Sequence, residues 1–62
     1  MFCYAVFHID KQLRVFHYDP NGDDWKRARI LAIEMAIAGE KSGYLYTVEQ
    51  FGLSGVGVLV WK

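Results

Sequence analysis

Cysteine, proline and net charge are the scarce quantities in this sequence, and each scarcity closes a class of function. The single cysteine, Cys3, cannot form an internal disulfide or a zinc site built from cysteines alone. A disulfide-stapled secreted scaffold is therefore excluded, and a cytoplasmic location fits best. Seven Lys plus Arg balance seven Asp plus Glu, which argues against a dedicated polyanion binder or a cationic membrane peptide. No stretch reaches the roughly 18 uncharged apolar residues that a spanning helix needs. The longest candidate, Phe51 to Trp61, is broken by Gly52, Gly55 and Gly57. Met1-Phe2-Cys3-Tyr4 offers neither the basic lead-in nor the cleavage site of a signal peptide, so Met1 is expected to open a complete short reading frame.

What the 62 residues do contain is apolar: 53% hydrophobic and 16% aromatic, too much for a disordered chain and enough for one small domain. A domain of this length buries only about 60% of the surface its unfolded chain exposes, so help from a partner or a second copy is expected.

Aromatic and β-branched residues crowd Phe2 to Ile9 and Leu13 to Asp19, which predicts a hairpin. A three-residue loop over Asp10, Lys11 and Gln12 sets Ile9 against Leu13, Phe7 against Val15 and Ala5 against His17. The alternative two-residue loop, Asp10-Lys11, sets Ile9 against Gln12 and Phe7 against Arg14. The first register is preferred because it gathers Cys3, Ala5, Phe7, Ile9, Leu13 and Val15 on one apolar face. Tyr4, Val6, His8, Arg14, Phe16 and Tyr18 take the other.

Asp19-Pro20-Asn21-Gly22 is the strongest turn signal. Asp23 is the expected cap of a helix running to Ala38, with Asp24 favourable near its positive end, Gly39 just past its C-terminus and Glu40 to Gly43 as the exit loop. Tyr44 to Phe51 and Val56 to Trp61 read as a second hairpin around Gly52-Leu53-Ser54-Gly55. Its last strand is apolar on both sides, which suggests a central or covered position. The predicted fold is α+β: a two-layer β-β-α-β-β domain, residues 1–62, with one helix packed on a small antiparallel sheet.

At about 100° per residue, Trp25, Ala28, Leu31, Ala32, Met35 and Ala36 form the stripe expected to lie on the sheet. Ile30, Ile33 and Ile37 project to the opposite side. One sheet cannot cover both sides of one helix, and each exposed Ile would forgo roughly 1.5–3 kcal/mol. Either a terminus or loop covers the ridge, or the isoleucines face the sheet and the alanines face water, or a partner covers it.

Chemical motifs are thin. In the preferred register His8 and His17 lie on opposite faces and cannot share a metal ion. The acidic run Asp19 to Asp24 places its glycine two positions early for a calcium loop, and Ile30 stands where the closing acid belongs. Ser54 lacks the spacing of a nucleophile elbow, and Cys3 sits in an apolar strand that suppresses its thiolate. Glu40-Lys41-Ser42 lacks the glycine spacing of a phosphate loop. No catalytic residue, metal or cofactor is expected.

The reading is a non-enzymatic interaction module that binds a protein partner and forms a homodimer or higher oligomer, without membrane contact. Its expected contacts are Ile30, Ile33, Ile37 and Arg29 on the helix, with Tyr4, Phe16 and Tyr18 as aromatic anchors on the sheet. In size and layout it resembles small phage- or plasmid-encoded proteins that bind and inhibit or redirect a larger host protein. The alternative is nucleic-acid binding through Lys26, Arg27, Arg29 and Arg14 beside the aromatic sheet face.

Overall fold

The strand and helix signals resolve into five elements. The computed structural model describes residues 2–62, with β1 at Cys3–His8, β2 at Lys11–His17, α1 at Trp25–Lys41, β3 at Tyr46–Phe51 and β4 at Val58–Trp61. The fold is the predicted α+β arrangement. All pairings are antiparallel, and the sheet order is β2-β1-β3-β4. Helix α1 crosses β2, β1 and β3 and scarcely reaches β4. The shortest dimension, 15 Å, leaves room for two layers only.

Neither expected register for the first hairpin occurs. Ile9 and Asp10 alone form the loop, pairing His8 with Lys11 and Phe7 with Gln12. A bulge at Leu13 then shifts the ladder, so that Val6 meets Arg14, Ala5 meets Val15 and Cys3 meets His17. The bulge restores the parity of the preferred register, so the same residues share each face although their partners change. The tight loop forces Ile9 to φ +62°, a left-handed conformation that a β-branched residue rarely adopts.

The turn after β2 forms as expected: the Gly22 amide donates to the Asp19 carbonyl at 3.1 Å and the Asn21 amide to the Asp19 carboxylate at 2.9 Å. Asp23 does not cap the helix. The N-cap is Asp24, and its carboxylate is turned back to accept from the Asp19 amide at 3.1 Å, closing the turn. The helix also runs past Gly39, because a glycine is required there for a different reason: any Cβ would lie 2.3 Å from the Tyr46 ring. The terminator is Gly43 at φ +90°. There the Tyr44 amide donates to the Gly39 carbonyl at 2.9 Å and the Gly43 amide to the Glu40 carbonyl at 3.0 Å, the paired bonds of a Schellman stop. The doubly apolar β4 is an edge strand, not a central one; Val58 and Leu59 are exposed.

Candidate functional site

Strand alternation sorts the sheet residues into two faces, and the helix has taken the less obvious one. Beneath α1 lie Tyr4 and Val6 of β1 and Val48 of β3, all buried. Phe16, Tyr18, Tyr46 and Trp61 are half-buried around them. Against these large side chains α1 sets Ala28, Ala32 and Ala36, all buried and spaced one turn apart, so the helix backbone settles close to the sheet. The alanines thus face the sheet as expected. Ile33 leaves the supposed outer ridge and packs against the core cluster, while Ile30 at 56% and Ile37 at 38% exposure remain outside. Leu31, placed on the sheet-facing stripe by its spacing, is 38% exposed at the helix flank.

Of the expected aromatic anchors, Tyr4 is 2% exposed and is spent on the core. Its ring leans on Tyr18 at 5.3 Å, and Tyr18 in turn meets Phe2 at 5.9 Å and accepts a hydrogen bond from the Gln50 amide at 3.0 Å. Burial pushes the Tyr4 phenol above its ordinary pKa; Tyr18 adds to the shift and Arg29 offsets part of it. Phe16 is half-buried beneath the Arg14 guanidinium, 5.1 Å from the ring centre. The basic residues are exposed but do not form a single stripe. Arg27 borders a hollow with Phe16 and Leu31 on the β2 side of the helix, whereas Lys26 and Arg29 border one with Trp25, Ile30 and Ile33.

The face left bare is apolar along β1, with a polar residue on every rung. Its rungs run across the sheet through the register: His17, Cys3 and Phe51; Val15, Ala5 and Glu49; Gln12, Phe7 and Thr47. Leu59, paired with Glu49, extends it to β4, and the bulged Leu13 overhangs it. Cys3 and Ala5 form the floor of a trough because they are small. They are only 3% and 0% exposed, and Gly52, Leu53 and Gly55 of the β3–β4 connection line the hollow beside Cys3. Phe7 and Phe51, 6.3 Å apart, form one wall. The trough opens into a concavity of about 480 Å³ lined by Cys3, Val15, His17, Phe51 and Leu53. Leu53 on its rim is 87% exposed, and Leu13 and Leu59, on β2 and β4, are 37% and 52% exposed. Gly57 admits the Glu49 carboxylate and the Phe51 ring, since a Cβ there would overlap both.

His17 and Cys3 are neighbours on this face, while His8 lies on the helix side beside Tyr44 and Tyr46. Burial raises the Cys3 thiol's pKa, which keeps it protonated and a poor nucleophile despite the adjacent imidazole. Among the described residues, no three His, Cys, Asp or Glu side chains are grouped to hold a metal ion, and no helix is long and apolar enough to cross a membrane. Compared with protein-family models, curated proteins and solved structures, the chain matches none.

The sequence reading took its sheet contacts, Tyr4, Phe16 and Tyr18, from the opposite face and named none on the bare one. The missed signal was size. Alanines at i, i+4 and i+8 need bulky side chains opposite them, and at the centre of the sheet β1 supplies these with Tyr4 and Val6 on one face but only Cys3 and Ala5 on the other.

Proposed function

We propose that this chain is a small, non-enzymatic protein-interaction module acting in the cytoplasm, of the regulator kind that binds a larger protein and inhibits or redirects it. Its docking surface is the sheet face opposite α1. The supporting observation is that Phe7, Leu13, Val15, Phe51 and Leu59 share a face over which, among the described residues, no helix or second sheet lies, in a chain only 15 Å thick. A sheet apolar on both sides is stable in water when both sides are covered, and contiguous apolar patches mark interaction sites. Ile30 and Ile37 form a smaller second patch on the far side of the helix, isolated from the first by the whole thickness of the domain. Nucleic-acid binding is the weaker reading, because Tyr4 is no longer available for stacking and Arg27 is separated from Lys26 and Arg29.

The test is affinity capture from the native host with three forms: wild type, the pair Leu13→Lys with Leu59→Lys, and the pair Ile30→Asp with Ile37→Asp. The sheet pair is expected to lose a specific captured protein that the helix pair retains. Equal capture by all three forms would remove the bare face as the docking surface. In low salt, where phosphate binding is strongest, no mobility shift of single-stranded RNA or DNA is expected.

A further inference from the structure

We infer that one occupant of the bare face is a second copy of this chain, packed face to face about a twofold axis that runs along β1. The inference rests on the preceding reading of that face as a docking surface and adds what sits on it. Three observations carry it.

The first is charge. Among the described strand residues, the bare face carries one carboxylate, Glu49, and one imidazole, His17, with no Lys or Arg. They sit on opposite flanks of β1, Glu49 on β3 beside Ala5 and His17 on β2 beside Cys3. A twofold axis along β1 lays the β3 flank of each copy over the β2 flank of the other. The acid-bearing side of each copy thereby meets the imidazole-bearing side of its mate, twice. An axis across the strands would lay β3 on β3 and bring the two carboxylates to the same flank. With zero formal net charge, two copies also approach without overall repulsion.

The second is relief. The floor of Cys3 and Ala5 runs along the proposed axis, with Phe7 closing it at the far end of β1 and the larger residues Val15 and Phe51 standing to either side. Two such troughs face one another along the axis and let the flanking side chains interdigitate, as the inner faces of a sandwich do.

The third is area. The three strands that overlap about this axis, β2, β1 and β3, about 4.8 Å apart and some six residues long, give a flat footprint of roughly 300 Å² per copy, against the ~800 Å² of a standard interface. This ratio predicts a reversible, concentration-dependent dimer and excludes an obligate one.

Sedimentation velocity of the wild-type chain from about 1 μM to about 1 mM tests this, with circular dichroism confirming that each variant is folded. A monomer–dimer equilibrium is expected, weakened at least ~10-fold by Val15→Lys, on the β2 flank that meets the mate's β3, and unchanged within ~2-fold by Ile30→Asp with Ile37→Asp. Glu49→Lys and His17→Glu are each expected to weaken it several-fold, and the double exchange to recover most of the loss. If a sheet variant unfolds, dilution of the wild type followed by NMR decides instead, with shift changes expected at bare-face amides such as Ala5, Val15 and Phe51. A folded wild type that stays monomeric throughout overturns the inference, as does a dimer broken by the helix pair or a double exchange that does not recover. A monomer that still loses its captured host protein on Leu13→Lys with Leu59→Lys overturns only the second copy and leaves the docking surface standing.

Discussion

The two faces of the sheet are both apolar, yet one is sealed and the other bare. The sealed face presents Tyr4, Val6, Phe16 and Val48, bulky side chains that fill the space beneath a helix whose inner stripe is Ala28, Ala32 and Ala36. The bare face has Cys3 and Ala5 at its centre, which would leave a void beneath the same alanines. A helix and a sheet together must fill a fixed gap, so small residues on one require large ones on the other. Volume, rather than hydrophobicity, chose the side.

The contrast is broken most strongly on the sealed face. Tyr4→Ala is expected to cost about 3–5 kcal/mol, enough to unfold so small a domain, whereas Leu59→Lys on the bare face costs the monomer less than about 0.5 kcal/mol. Urea titrations at low micromolar protein measure both; similar losses would mean that the two faces are equally structural. Next comes Ala32→Leu, which inserts volume where the helix lies closest to the sheet. A loss of about 1–3 kcal/mol is expected, seen as a drop of roughly 4–8 °C in Tm for each kcal/mol.

Ile9→Gly works in the opposite direction. It relieves the left-handed strain at φ +62° while giving up a side chain that is 77% exposed, and a gain of about 1 kcal/mol is expected in the same titration. An unchanged or lower stability would show that the tight loop is not strained.

The mildest perturbation is alkaline pH. Burial raises the pKa of Tyr4, under the helix, and of Cys3, in the trough, above ordinary values of 10.0 and 9.0. Both groups therefore hold their protons more tightly folded than unfolded. Their contributions are fully present well below the thiol's ordinary value of 9.0 and are lost as pH rises towards and through the folded values, the thiol's range being reached before the phenol's. Tm is expected to be level from pH 7 to about 8.5 and to decline above it. Cys3→Ala removes the earlier part of the decline and Tyr4→Phe the later part; a Tm that rises above pH 9 would reverse the assigned direction.

Much of this architecture is legible in the residues themselves. The Asp19-Pro20-Asn21-Gly22 turn, the two hairpins and the helical spacing of the alanines follow from local preference and periodicity, and they suffice for the β-β-α-β-β order. Boundaries were less legible where one residue type serves two purposes. Gly39 looks like a helix stop, yet it is the contact point for Tyr46, and the stop lies four residues on at Gly43. The first hairpin's register turned on whether Ile9 would accept a positive φ, a choice that local propensity opposes and ladder pairing imposes. Of the expected contact residues, Ile30 and Ile37 stand exposed, but Ile33 and Tyr4 belong to the packing.

Residue spacing along the chain determined which side chains travel together on each face, because alternation in strands and the 3.6-residue turn of a helix are properties of the backbone alone. Which of those faces met, and so which apolar surface was left facing solvent, depended on how three alanines fit against tyrosine, valine and phenylalanine. That fit is a matter of volumes summed across residues far apart in sequence, and it exists only once the layers are stacked.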